Sequence, residues 1–272
     1  MSNAIVRRIG LALISCLLLQ AMPLFALQTS KPKRRSRARH ASTVKKKPVA
    51  PLRTKVAEGM YELHHTGPEP SGTWQEPWAL YKTKSGYELE EQWKAAKIGN
   101  PNSVVVNVFL DLAQGLYPIH AKIGSEVSGN QIDCAMTLNE FKCAAGGKES
   151  SLPVSGPYNL FLPSPWLLSS IGRRSSRNPE APTKVQLVQM AGMGPDGPKL
   201  MAFDAEVQYV GDDVIDVGGK KIHADIYELK SADTPAILMW ISAEGVVILM
   251  QDSQKPDQRL ELVEYKKLAA FD

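Results

Sequence analysis

The chain has 272 residues, 43% of them hydrophobic, and a formal net charge of +4. That is enough apolar material for one large or two small globular domains. The charge is unevenly placed: no Asp or Glu precedes Glu58, residues 1–55 hold 13 of the 32 Lys and Arg, and the remainder carries 19 basic against 28 acidic residues, a net of −9. A folded nucleic-acid-binding surface is usually basic. This one is acidic, which argues against nucleic acid as the partner.

Residues 1–27, "MSNAIVRRIGLALISCLLLQAMPLFAL", open with Arg7 and Arg8 and continue as an apolar run from Ile9 to Leu27, with Ala26 near its end. This is the anatomy of a secretory signal peptide. The run also reaches the minimum length of a membrane span, so an uncleaved N-terminal anchor is the rival reading. Cys16 ends a "LISC" that is similar to a lipidation box, but more apolar residues follow it than such a box allows. For such an anchor the positive-inside bias would hold the basic segment and the C-terminal domain in the cytoplasm. Export, to the periplasm or envelope or beyond the cell, is the expectation.

Residues 28–56 combine basic runs with Pro, Ser and Ala and show no hydrophobic periodicity, the composition of a disordered linker. Lys33, Arg34, Arg35, Arg37, Arg39, Lys45, Lys46 and Lys47 form its charge clusters. In an exported protein these suit an electrostatic tether to anionic envelope polymers or a membrane surface. A solvated spacer is the alternative. Residues 31–55 lack the interleaved aromatics on which single-stranded nucleic acid stacks.

Residues 57–272 read as one mostly-β globular domain. "GMYELHH", "GYELEEQW" and "SVVVNVFLDL" alternate or cluster β-branched residues as strands do. "QIDCAMTLNEFKCAAGG" fits a hairpin whose two-residue turn falls at Leu138-Asn139. That register sets Cys134 opposite Cys143 in a non-hydrogen-bonded pair, where Cα atoms approach to roughly 4.5 Å. An oxidising compartment would favour a disulfide there, and two reduced, buried thiols are the alternative.

"SPWLLSSIGRRSS" is the one convincing helix, with Ser164 as N-cap and Pro165 at the first helical position. Its Trp166, Leu167, Leu168 and Ile171 are expected to form one apolar face. "RRSSRNPEAPTK" reads as a loop, or as a seam if there are two domains. "KVQLVQMAG" and "AFDAEVQYVG" follow as strands. In "DDVIDVGGKKIHADIYELK" two alternating runs meet at Gly218-Gly219, a hairpin signal. Ile222, Ala224 and Ile226 are expected on one face and His223, Asp225 and Tyr227 on the other. "ILMWIS", "VVILMQD" and "RLELVEYKK" complete an antiparallel meander. The fold class is therefore mostly β, a curved antiparallel sheet or half-barrel meander with one short helix.

No catalytic, nucleotide-binding or metal-binding motif occurs, and no cofactor is implied. His64 and His65 are adjacent and should point to opposite faces of a strand. His120 and His223 read as surface or capped histidines. Asp212, Asp213 and Asp216 lack calcium-loop spacing and read as a turn entering a hairpin. Glu90 and Glu91 are neighbours on opposite faces, so they do not form a carboxylate pair. The aromatic residues, Trp93, Trp166, Trp240 and Tyr227 among them, are numerous enough to line an apolar ligand cavity. They also suit an ordinary β core.

The C-terminal stretch "VQYVGDDVIDVGGKKIHADIYELK…AILMWISAEGVVILMQD…RLELVEYKK", with the Trp strand Met239–Ser242 before the turn Ala243-Glu244-Gly245, resembles the last strands of periplasmic half-barrel proteins of the lipoprotein-carrier type. The resemblance covers about a quarter of the chain. It implies an open curved sheet over a helix, whose concavity shelters acyl chains. The function expected on this footing is an exported, non-enzymatic envelope protein that binds a lipid or a lipoprotein acyl chain. A structural or interaction module of the envelope with no small ligand is the alternative.

Overall fold

The computed structural model describes residues 53–65, 73–96, 104–125, 131–155, 158–161, 164–232 and 235–271. The signal or anchor segment and the charge clusters of the basic linker lie outside them. The described chain forms fifteen strands and one helix. The first eight strands are β1 (Thr54–His65), β2 (Thr73–Lys82), β3 (Tyr87–Ala96), β4 (Val104–Ala113), β5 (Tyr117–Ser125), β6 (Gln131–Met136), β7 (Glu140–Ala145) and β8 (Lys148–Pro153). A three-residue strand β9 (Tyr158–Leu160) and the helix α1 (Pro165–Gly172) follow. The rest are β10 (Thr183–Gly194), β11 (Gly197–Val217), β12 (Lys220–Ser231), β13 (Ile237–Ser242), β14 (Val247–Asp252) and β15 (Gln258–Lys267).

All fifteen strands belong to one curved, unclosed sheet in the order β8-β7-β6-β5-β4-β3-β2-β1-β15-β14-β13-β12-β11-β10-β9. It consists of two antiparallel meanders, and the pairing of β1 with β15 joins them at the centre. Short turns join most neighbours, which is why sequence order and spatial order nearly coincide. Strand β9 is the exception, running parallel to β10. The two edges do not meet each other. Lys148 of β8 donates its ammonium to the Pro195 carbonyl ahead of β11, while Tyr117 of β5 donates its hydroxyl to the Tyr158 carbonyl of β9. One edge thus runs beside β11, and the other is tucked against β5 with all three of its residues buried.

Alternation decides which side chains turn inward. In β6 and β7 the buried set is Ile132, Cys134 and Met136 against Phe141, Cys143 and Ala145, as the pattern predicts. The hairpin at Gly218-Gly219 is also as expected, with Val217 opposite Lys220. Both turn residues have positive φ, +57° and +81°, the conformation that a tight two-residue hairpin demands and glycine supplies.

The faces of β12 alternate as expected, Ile222, Ala224 and Ile226 on one and His223, Asp225 and Tyr227 on the other, but burial does not keep to one of them: it begins with Ala224 and moves to Tyr227 and Leu229, leaving Ile226 only partly covered. The cause lies opposite, in the 21-residue β11, where the register slips between Tyr209 and Gly211 and leaves Val210 as an extra residue. A bulge bends a strand and raises its twist, so the covered face changes along the ribbon.

The expectation for the helix needs correcting. Ser164 is the N-cap residue and Pro165 opens α1 as predicted, but all eight helical residues are buried, not one face only. The reason is placement on the concave side of the sheet. Trp166 meets Trp78 of β2 edge-on at 4.6 Å, and Gly172 lies so close to Ile241 of β13 that an added Cβ would sit 2.0 Å from its Cδ1. The helix serines tolerate burial by bonding locally, Ser169 Oγ to the Trp166 carbonyl at 2.7 Å and Ser170 Oγ to that of Leu167 at 3.0 Å.

β1 starts inside the stretch read as the end of the basic linker, and Val56 is already buried. Just ahead of it, Arg53 lies over the Tyr81 ring at 4.1 Å and is ion-paired with Glu88 and Glu90. Among the described residues no helix is long and apolar enough to cross a membrane.

Candidate functional site

The disulfide forms between Cys134 and Cys143, with Cα atoms 4.1 Å apart. Cys134 pairs with Cys143, Ala135 with Lys142 and Met136 with Phe141, and the Thr137 amide donates to the Glu140 carbonyl at 3.0 Å across the turn. Both half-cystines are buried, so the bond staples the inner face of the β6–β7 hairpin.

Beneath α1 the inner faces of β2 and β3 carry an unusual group of side chains among the described residues. Trp74, Glu76, Trp78 and Leu80 follow one another at i, i+2 spacing along β2, as do Tyr87, Leu89, Glu91 and Trp93 along β3. Trp78 pairs across the strands with Glu91, and on its other side with Gly59 of β1. Tyr61 pairs with Glu76. The two glutamates are thus diagonal cross-strand neighbours, within mutual reach on one face. Glu76 is 0% exposed and Glu91 2%.

Trp74 Nε1 donates to Glu76 Oε1 at 2.5 Å. Glu76 Oε2, both Glu91 oxygens, Ser164 Oγ and the indole nitrogens of Trp78, Trp93 and Trp166 are buried without a hydrogen bond. Buried polar atoms are nearly always satisfied, so this concentration sets the region apart. Burial pushes the Glu91 carboxyl up to about 7, against the opposing influence of the neighbouring Ser164, Glu76 and Trp93 side chains. Burial, then the charge on Glu91, raises Glu76 well above the usual carboxylate range, with the Trp74 bond opposing. Burial likewise raises the Tyr61 hydroxyl, which donates to the Val247 carbonyl at 2.9 Å. Two carboxyls so placed cannot both ionise cheaply. The chemistry open to them is the holding and release of a proton.

Of the four aromatics read as cavity-lining, the structure brings two together. Trp93 and Trp166 both belong to this cluster, Trp93 with Trp74 at 6.5 Å and Trp166 with Trp78. Tyr227 is elsewhere, edge-on to Tyr209 at 5.7 Å. Trp240 is only partly buried and sits on the opposite face from Tyr227, because Tyr227 pairs with Met239 and Trp240 with Ile226. The four are therefore not gathered on one face of the sheet.

Other sequence readings fall into place on the surface. His120 on β5 is set between Asp111 and Asp133, with Nδ1 3.1 Å from one carboxylate and Nε2 2.7 Å from the other. His64 lies 3.6 Å from Glu261. Asp216 accepts the amide of Gly219 in the hairpin turn, as expected, but Asp212 and Asp213 lie within β11, paired with Asp225 and Ala224, and not in a turn. Glu90 and Glu91 do point to opposite faces, but the partner of Glu91 is Glu76. The signal for it was legible: a Glu flanked at i−2 and i+2 by Trp or Leu lies on the apolar side of its strand. Among the described residues no group of three or more His, Cys, Asp or Glu could hold a metal ion.

No family model and no curated protein matches the chain. Solved structures similar to it include two from bacteria. One is a β-barrel-like protein of the Domain of Unknown Function DUF1849 from Brucella abortus, 10% identical, TM-score 0.48, covering 78% of this chain and 98% of that one. The other is a DUF1089 family protein from Pseudomonas aeruginosa, 14% identical, TM-score 0.42, covering 67% of this chain and 91% of that one. Neither is described as a lipoprotein carrier.

Proposed function

We propose that the protein is an exported, non-enzymatic envelope protein that takes an apolar ligand, such as a lipid or a lipoprotein acyl chain, on the concave side of its sheet. The observation that carries this reading is α1: a short helix, buried all round, fills the concavity of a sheet that does not close. A ligand site of this kind is concave and mostly apolar with a few polar groups. α1 and its aromatic neighbours are the parts that would move aside. The disulfide supports residence in an oxidising compartment. The basic linker is proposed to hold the domain near anionic polymers or membrane surface, and no nucleic-acid role is assigned to it.

The packed cluster beneath α1 favours a second reading, an interaction module of the envelope with no small ligand. Native mass spectrometry of the protein, expressed with its own leader and purified from the envelope fraction, separates the two. A processed, oxidised species carrying a lipid adduct is the expected result. A processed, oxidised species without adduct, which also fails to take up a fluorescent long-chain fatty acid, supports the module. Recovery from the cytoplasm with intact leader and free thiols overturns both.

A further inference from the structure

We propose that Glu76 and Glu91 form a proton-operated clasp on helix α1: the helix stays seated in the concavity while the pair holds a proton, and ionisation of both carboxyls releases it. The inference rests on the reading of α1 as the element that yields to a ligand.

The geometry behind it is specific. Both carboxyls are buried on adjacent strands, and α1 forms the cover. Its N-cap Ser164 is fully buried and lies near Glu91, and its first aromatic, Trp166, packs on Trp78, the cross-strand partner of Glu91. A single negative charge has favourable company there, in the Trp74 bond to Glu76 and in the neighbouring Ser164 and Trp93. These neutral donors are divided between the two carboxyls, Trp74 on Glu76 and Ser164 and Trp93 beside Glu91, and a second charge adds the repulsion of its neighbour, which raises Glu76. Across β4 the facing residues are Val106 and Val108. From β1 the facing group is Tyr61, whose hydroxyl is given to the Val247 carbonyl. From β15 it is Tyr265, whose hydroxyl is given to Glu244 at 2.6 Å. From α1 come Ser164 and Trp166, while its C-cap Arg173 gives its guanidinium to the Glu244 carbonyl. Lys267 pairs with Glu244, and among the described residues no cation contributes to the ionisation behaviour of Glu76 or Glu91. Two like charges in a site without a cation require water, and water can reach them only if the cover lifts.

α1 suits such a role. It has eight residues, too few to be stable away from its packing. Its N-cap hydroxyl makes no capping bond, and its first turn carries no acidic residue.

The test is amide hydrogen exchange of the full, oxidised protein at about pH 5 and about pH 9, corrected for intrinsic rates, in wild type and in the double variant Glu76→Gln/Glu91→Gln. In wild type the protection of the peptide spanning 164–174 should fall at least about tenfold at the higher pH, a difference of about 1.4 kcal/mol, while the β6–β7 hairpin keeps its protection. In the double variant the α1 peptide should be equally protected at both. Equal protection in wild type, or an equal loss in the variant, overturns the clasp. Should the variant not fold, acrylamide quenching of wild-type tryptophan fluorescence decides: quenching that rises with pH supports the clasp, and flat quenching rejects it. Uptake of a fluorescent long-chain fatty acid is read in parallel. A helix that opens with no uptake sinks the ligand reading and leaves the clasp standing. Uptake without any change at α1 does the reverse.

Discussion

The indole of Trp78 lies directly over Gly59. A Cβ built on Gly59 would stand 2.6 Å from Trp78 Cζ2 and 2.5 Å from the Glu264 carbonyl oxygen of β15. Gly59 sits at the centre of the sheet, where β1 pairs with both β2 and β15, and its missing side chain is the space that Trp78 fills. Gly59→Ala should therefore overpack the core and cost roughly 1 to 3 kcal/mol. Urea unfolding followed by tryptophan fluorescence reads this. A variant as stable as wild type would show that the strand junction can spread to admit a methyl group.

The Cys134–Cys143 bond closes a sequence separation of 9 residues. Constraining so short a loop in the unfolded chain should contribute about 2 to 3 kcal/mol. Cys134→Ala/Cys143→Ala should lower the free energy of unfolding by that amount, and reduction of the wild type should reproduce the loss. Since β6 and β7 are already paired by their backbones, the fold itself should survive. Loss of all cooperative unfolding in the double variant would mean that the bond holds more than its own hairpin.

The opposite-face placement of Trp240 and Tyr227 separates the tryptophans by role. Trp166, 2% exposed and packed on both Trp78 and Phe271, should cost about 3 to 5 kcal/mol as Trp166→Ala. Trp240→Ala, at a partly buried site, should cost less than half of that and leave uptake of a fluorescent long-chain fatty acid unchanged. Loss of uptake in Trp240→Ala would move the ligand to the outer face of β13.

How much of this was legible in the sequence varies with the length scale of the cause. The strand alternation, the Gly218-Gly219 turn, the cysteine register and the Ser164-Pro165 helix start are all set by residues within a few positions of one another. They came through. The slip at Val210 did not, because a bulge depends on how a 21-residue strand serves two neighbours in turn. All-round burial of α1 did not either: its apolar stripe is what a surface helix shows, and its serines hide by bonding to their own backbone. Glu76 and Glu91 were the most consequential omission. Each sits on the apolar side of its own strand, but only the β2–β3 pairing makes them neighbours, and charged residues are read by default as solvent-facing.

Burial of Glu91 carries a pH signature. Its carboxyl is pushed up to about 7, from an ordinary value of 4.5 when the chain is unfolded. Between those values the folded protein binds more protons than the unfolded chain, so the stability of the fold falls as pH rises. Below the lower value both states are protonated and the slope vanishes; above the upper both are ionised and it vanishes again. The total loss across the window is on the order of 3 kcal/mol. Glu76, raised in the same direction, steepens or extends the decline. Exposed carboxylates held down by ion pairs, such as Glu58 beside Lys55, work the other way at more acid pH. The wild type should accordingly be most stable on the mildly acid side of neutrality. Glu91→Gln, which keeps the shape and removes the charge, should flatten the decline and leave the variant more stable than wild type above neutral pH. Urea midpoints measured across this range decide the matter: a wild type whose stability rises steadily from mildly acid to neutral pH would mean that Glu91 is ionised within the fold.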